Sequence, residues 1–459
     1  MTVSEPSPLR STRFSQFMGK LHAYASLQCL QDADRCYTYS DLLDEFRRWT
    51  VHLDALKVEP TEVVGLRADF SLHAFAALLA LLSRRAVAAL LPRNRDLESY
   101  LADANAALFL DLHTDGTYEC RRRGSVTPGH LLLEKLRDSG DGGIVLFTSG
   151  STSRPKAALQ STERFLRKYH MPGRRFRTLA FLLFDHIAGL DTLFYTLASG
   201  GSLILTRHRD PPSILQLIET HRVEVLPASP SFLRLLCGTN DTRQRDLSSL
   251  QIITYGSEPM DARTLARLSE RLPNLQLSQK YGTTETGSPR CISKGNDSLW
   301  VRFNDAAVET KIVQGMLWIR SESTILGYLN APSPLDEDGW YCTADLVDVD
   351  GEWLRFRGRA SETINVGGEK VSPPEVEHAI LELDFVREVA VRGEAHPLLG
   401  QVVTARVVLT DGNTLPPREA VTRIWQHCRK RLASYKAPVK VDVIQNGLVD
   451  DRQKIIRNR

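Results

Sequence analysis

The sequence contains no C-x-x-C pair: its seven cysteines, at 29, 36, 120, 237, 291, 342 and 428, are odd in number and scattered. That pattern excludes a disulfide framework or a zinc knuckle as the organising device and suits a reducing cytoplasm. A dominant charge is also missing. The 58 basic and 55 acidic residues leave a net charge of +3 and a pI near 8.4, too balanced for bulk nucleic-acid binding. Long apolar runs are missing too. The most apolar stretch, 74–91, is cut by Ser83, Arg84 and Arg85 and falls short of the roughly 20 apolar residues of a membrane span. Residues 1–15 contain Pro6, Pro8, Arg10 and Arg13 but no apolar stretch of the signal-peptide kind, so a flexible leader is expected. There is no internal repeat and no low-complexity tract.

What is present is an ordinary globular composition, 42% hydrophobic and 25% charged over 459 residues, enough for a large domain plus a smaller one. Helical periodicity at 41–56 and 72–82 alternates with β-rich runs at 63–66 and 87–91. Further strands are expected at 144–147, 179–184, 202–206, 223–227 and 250–255, with helices at 189–197, 213–221 and 261–271. This order predicts an α/β fold of parallel strands joined by crossover helices. From Met316 the texture changes to short strands with turn signals: 317–320, then 336–339, then 346–349 and Asp350-Gly351 before 353–356, with a hairpin expected at Asp350-Gly351. After Gly358-Arg359 a separate module begins. Ser372-Pro373-Pro374-Glu375 predicts a capping box opening a helix to about 383, followed by strands at 389–392 and 402–409 and a helix at 418–432. The expected architecture is a large N-terminal domain, 1–359, of α/β layers with a β-rich subdomain, and a small α+β C-terminal domain, 360–459, on a hinge.

The run Thr148-Ser149-Gly150-Ser151-Thr152-Ser153-Arg154-Pro155-Lys156 follows an apolar strand. Hydroxyls, backbone N–H groups and a lysine in one loop can surround phosphate oxygens. It is not a G-x-x-x-x-G-K-[ST] loop, because no glycine precedes Lys156 and no Ser or Thr follows it. It resembles the phosphate loop of the adenylate-forming superfamily, which includes acyl-CoA synthetases, peptide-synthetase adenylation domains and luciferases. Further stretches resemble that superfamily in its own order: Gly256-Ser257-Glu258-Pro259, Tyr281-Gly282-Thr283-Thr284-Glu285, Gly315-Met316-Leu317-Trp318 with Gly327-Tyr328, and Tyr341-Cys342-Thr343-Ala344-Asp345. Gly358-Arg359, Gly367-Gly368-Glu369-Lys370-Val371-Ser372-Pro373 and Leu432-Ala433-Ser434-Tyr435-Lys436-Ala437-Pro438 follow. The resemblance runs from about residue 140 to the C-terminus, more loosely back to about 36. Ser153, Ala344 and Gln453 stand where the superfamily usually has glycine.

The resemblance implies ATP-dependent conversion of a carboxylic acid to an acyl-adenylate. Thr148, Ser149, Gly150, Ser151, Thr152 and Lys156 would bind the phosphates, Gly256, Ser257 and Glu258 the adenine, and Tyr281, Gly282, Thr283 and Thr284 the nucleotide, with Tyr281 stacking on the base. Asp345 would accept the ribose hydroxyls beside Arg359, Glu285 would hold Mg2+, a hard cation suited to oxygen ligands, and Lys454 would bridge the acid and the α-phosphate. The acid would lie against Phe184, Asp185, His186, Gly189 and Tyr255. His186 fits an orienting wall, since a carboxylate needs no deprotonation at pH 7. Asp185 would pair with a substrate amino group or serve as a structural aspartate. Ser361 occupies the hinge position, and Gly367 and Gly368 would admit a pantetheine arm. The acceptor implied is CoA or a carrier-protein phosphopantetheine. A non-thiol nucleophile such as an amine, or a silent homologue that only binds nucleotide or acyl groups, are the competing readings.

Overall fold

The apolar segment after residue 71 becomes the middle of a layered core. In a computed structural model of the chain, which describes all residues except 1–11, 34, 94–95, 125–128, 149–153, 172, 240–244, 411, 446, 450–454, 456 and 458–459, Leu72–Ser83 is a helix. The Ser71 hydroxyl caps it by accepting from the Ala74 N–H, and ten of its 12 residues are buried. No described helix is long and apolar enough to cross a membrane. Packing divides the chain into two compact units, Met1–Leu205 with Glu322–Pro334 and Thr206–Ser321 with Leu335–Arg459.

In the first unit a seven-stranded sheet runs in the order Gly327–Tyr328, Lys156–Ser161, Gly143–Thr148, Val87–Leu90, Val63–Arg67, Leu108–Leu112, Tyr118–Arg122. The four strands from Gly143–Thr148 to Leu108–Leu112 are parallel and the flanking pairs antiparallel. Parallel neighbours require crossovers, and both sheet faces are therefore covered. Ile144 and Leu146 join the cluster containing Leu72–Ser83, whereas Val145 and Phe147 join Tyr100, Leu101, Leu133 and Leu136 on the opposite face. A second set of strands, Arg177–Ala180, Ser202–Leu205, Gln28–Asp32 and Arg35–Thr38 in that order, adds Ala180, Leu203, Leu205 and Leu30 to the same cluster as Leu72–Ser83. That helix is thus enclosed by residues of two sheets, each fully buried leucine contributing roughly 1.5–3 kcal/mol. The strand expected at 179–184 instead lies at Arg177–Ala180. Phe181 and Phe184 are buried but leave the ladder, so apolar burial there signals packing rather than pairing.

In the second unit three parallel strands, Val225–Ala228, Ile252–Tyr255 and Gln276–Gln279, are in register, with Ala228 opposite Tyr255 and Tyr255 opposite Gln279. The helices Pro211–His221, Pro230–Gly238 and Ala262–Arg271 are capped by the side chains of Asp210, Ser229 and Asp261. The β-rich part is a six-stranded antiparallel sheet in the order Cys291–Ser293, Val301–Phe303, Trp353–Arg359, Tyr341–Asp350, Met316–Ser321, Val308–Val313. Its expected hairpin closes with Asp350 opposite Trp353. The segment at 336–339 forms a turn, in which the Asp336 carboxylate accepts the N–H groups of Asp338 and Trp340.

The C-terminal module has its own core of Ile364, Val371, Val376, Ile380, Val391, Val403, Val407, Ile424 and Cys428. Helices Pro373–Leu381 and Pro417–Arg431 pack on a sheet led by Val386–His396 and Gly400–Leu409. The capping box at Ser372 does not form. Its hydroxyl instead donates to the Arg357 carbonyl at 2.7 Å, and the Glu375 carboxylate accepts from Lys436 Nζ at 2.6 Å. Long-range partners outcompete the local box.

Candidate active site

In the first unit the loop between the antiparallel strands Gly143–Thr148 and Lys156–Ser161 carries the residues expected to bind phosphate, with Thr148 opposite Lys156 in register. Ser149, Gly150, Ser151 and Thr152 lie outside the described residues. The loop's exit is fixed by a residue the sequence did not single out. Asn330 donates through Nδ2 to the Pro155 carbonyl and accepts the Ala157 N–H through Oδ1, both at 2.9 Å. The Lys156 ammonium stands 5.1 Å from the Tyr328 ring centroid, which holds the charge without neutralising it. Arg154 is paired with the buried Asp103.

The predicted acid-pocket segment in this unit turns sharply before the helix Ile187–Ala198. A Cβ on Gly189 would meet the Leu183 carbonyl oxygen at 1.9 Å, so glycine is the residue this turn accepts. Phe184 packs against Phe70 and Phe75, with centroids 5.4 and 6.3 Å away. Asp185 lies 3.0 Å from His186 Nδ1, but neither buried ring nitrogen of His186 has a directed hydrogen bond among the described residues. Nε2, which has no partner among the described residues, leaves the imidazole suited to a polar ligand group.

The second unit brings together residues separated widely in sequence. Asp345 and Arg359 face each other across adjacent strands, with Arg359 Nε 3.3 Å from Asp345 Oδ1. The Tyr281 hydroxyl donates to the other carboxylate oxygen at 2.7 Å. One face of the Tyr281 ring stacks on Phe356, with a centroid distance of 4.6 Å and an interplanar angle of 7°. Burial pushes the Asp345 carboxyl up, while Arg359 and the Tyr281 hydroxyl pull it back. Burial, then the Asp345 charge, drives the Tyr281 hydroxyl well above its ordinary value, so it remains a donor. Glu285 is 7% exposed and takes a hydrogen bond from Tyr341, whose hydroxyl is raised first by burial and then by the Glu285 charge.

Gly256 follows the strand Ile252–Tyr255, and a Cβ there would lie 2.5 Å from the Lys280 carbonyl oxygen. Tyr255 is buried, and its hydroxyl has no partner among the described residues. The Glu258 carboxylate is directed at protein groups: Oε2 accepts the Ser231 N–H at 3.2 Å and its hydroxyl at 2.6 Å, and Oε1 accepts the Ile455 N–H at 2.8 Å. Ser361 is exposed in the short turn Ala360–Glu362. Gly367 and Gly368 are exposed with φ of 59° and 99°. Lys454 lies outside the described residues.

Ala344 explains why a glycine is usual at its position: its φ is 58°, in the left-handed region, which costs an L-residue roughly 1–2 kcal/mol. Its neighbours hold it there, Thr343 donating to the Leu317 carbonyl at 2.8 Å and accepting the Asp345 N–H at 3.1 Å. Ala344→Gly is therefore expected to stabilise the protein by roughly 0.5–1 kcal/mol after subtracting glycine's unfolded-state entropy. The measurement is the urea midpoint at unchanged slope; a midpoint that falls contradicts the assignment.

Residues 17–329 match the family model described as AMP-binding enzyme, and 375–452 match that described as AMP-binding enzyme C-terminal domain. An indoleacetate–CoA ligase of Aromatoleum aromaticum is 29% identical over 324 residues, covering 65% of this chain and 62% of that protein, so less than two thirds of that relative is matched. A 2-succinylbenzoate–CoA ligase of Listeria innocua is 26% identical over 448 residues, 92% of this chain and 93% of that one. The crystal structure of an anthranilate CoA ligase in complex with anthranoyl-AMP has a TM-score of 0.81 at 20% identity, covering 98% and 96% of the two chains. This last likeness is one of fold.

Proposed function

Because the chain belongs to the AMP-binding enzyme family, we propose that it joins a small carboxylic acid to AMP and then transfers the acyl group to the thiol of coenzyme A. A carboxylate oxygen attacks the α-phosphorus of ATP, pyrophosphate leaves, and the thiol sulfur then attacks the acyl carbon with AMP as leaving group. The observation that carries this reading is the Tyr281–Asp345–Arg359 cluster beside the Tyr341–Glu285 pair. A carboxylate held in place by a phenol and a guanidinium keeps lone pairs in fixed directions for a vicinal diol.

The site has to bring two anions together, so positive charge is required. Lys156 supplies it toward the triphosphate, and Lys454 toward the α-phosphate as negative charge accumulates there. Among the described residues no three His, Cys, Asp or Glu side chains converge as a metal cage. Glu285, a buried hard oxygen donor, fits Mg2+ and would hold it as a protein ligand. When bound, Mg2+ neutralises phosphate charge. His186 orients the acid. The module 360–459 turns at Ser361 relative to 1–359 between the two steps, and the exposed Gly367-Gly368 segment lets the thiol arm pass close to the backbone. A carrier-protein phosphopantetheine presents the same thiol as CoA. Seven cysteines free of disulfides support a cytoplasmic setting.

The test is ATP–pyrophosphate exchange over a panel of aliphatic, aromatic and amino-substituted acids, followed by addition of CoA. Acid-dependent exchange and CoA-dependent thioester are expected. Nucleotide binding with no exchange for any acid sinks the reading in favour of a silent homologue, and acyl transfer to amines but not CoA replaces the acceptor.

A further inference from the structure

The C-terminal tail is held by two carboxylates that the reaction itself does not use. Arg457 forms a two-pronged pair with Glu377, Nε and Nη2 each 2.7 Å from an oxygen, and its Nη1 reaches Glu362 at 2.9 Å. Glu377 sits on the helix Pro373–Leu381, is 3% exposed, and also accepts the Val391 N–H at 3.0 Å. Glu362 follows the hinge residue Ser361 directly. The guanidinium therefore fastens the tail, that helix and the start of the module into one body, and a planar bidentate fork makes the fastening directional. Ile455 adds a bridge to Val449 and apolar contact with a cluster of Ala390, Val408 and Leu448.

The tail's other tie leaves the module. Ile455 N–H donates to Glu258, whose second oxygen is fixed by Ser231, and Arg234 donates to the same Ser231 hydroxyl at 2.8 Å. Glu258 belongs to the turn at Gly256–Pro259 assigned to adenine, yet both its oxygens serve the protein. Resting on the adenylation reading above, we propose that Glu258 and Arg457 are positioning residues that seat the C-terminal tail against the nucleotide-binding turn for the adenylation step. Lys454, the residue assigned to the transition state, directly precedes Ile455 in the sequence, so the tie at the Ile455 N–H is next to it along the chain. A displacement of about 1 Å at such a group costs on the order of 100-fold in rate. Thioester formation from a ready-made adenylate does not call on this seat.

The experiment compares Arg457→Ala, Arg457→Lys and Glu258→Ala with wild type in the full-length protein. Readouts are ATP–pyrophosphate exchange, thioester formation from added acyl-adenylate and CoA, thermal melting, and amide hydrogen exchange of the peptide containing Ile455. Arg457→Ala and Glu258→Ala are expected to lower kcat for exchange about 10- to 100-fold. KM for ATP and thioester formation should stay within about twofold, and the Ile455 peptide should lose at least about tenfold of its protection. Arg457→Lys, which keeps the charge but not the fork, should fall between. The proposal is overturned if tail protection is unchanged, or if both half-reactions fall together with the melting temperature. Tail protection requires no turnover: if it responds as expected while wild type shows no exchange, the seat stands and the catalytic reading fails.

Discussion

Glu285→Gln is expected to cut ATP–pyrophosphate exchange about 100-fold, a loss typical of removing one fixed charge from a phosphate site, and to raise the Mg2+ concentration needed for half-maximal activity. The substitution keeps shape and an acceptor oxygen for the Tyr341 hydroxyl, so the local fold should survive. What it removes is the full negative charge a hard divalent cation requires, and amide oxygens are weaker ligands for magnesium. Excess Mg2+ should restore part of the rate. A variant that keeps its exchange within about threefold at limiting Mg2+ would remove Glu285 from the metal site and leave it as a structural partner of Tyr341.

Lys454→Ala should be the second large effect: exchange falling about 100-fold or more, while acyl transfer from a supplied adenylate to CoA continues near the wild-type rate. The charge of Lys454 is assigned to the α-phosphate oxygens, where negative charge builds only as the carboxylate attacks. The second step develops its charge at the acyl carbonyl and has no need of it. Full adenylation in this variant would show that the C-terminal lysine has been wrongly aligned. Equal loss of both steps would assign it to binding common to both.

How much of this was legible in the sequence varied with the range of the interactions. The strands Val63–Arg67 and Val87–Leu90 and the helix Leu72–Ser83 were legible because burial on both faces leaves short, nearly unbroken apolar stretches whose ends are marked by caps and charges. The Asp350-Gly351 hairpin was legible because a two-residue turn needs a left-handed residue, and Gly351 has φ of 58°. The segment after Ala180 was misread because Phe181 and Phe184 are buried by packing without joining a ladder. Ser372 was misread because a strand carbonyl 15 residues earlier, that of Arg357, captured its hydroxyl. Motif order singled out Tyr281, Asp345 and Arg359 individually. It could not show that the phenol bonds a carboxylate 64 residues away, or that Arg457 finds its partner 80 residues back. Nor did any signal mark Asn330, whose amide joins Pro155 and Ala157 across 175 and 173 positions.

The helix Leu72–Ser83 also bears on the order in which the chain can be made safely. With all but His73 and Ser83 of its 12 residues buried and apolar, it has little to show to water, and part of its cover, Leu203 and Leu205, is synthesised more than a hundred residues later. At about 5–20 residues per second, the ribosome leaves this oily rod without its lid for several seconds or longer. Nascent chains halted between these points would be strong clients for holdase chaperones.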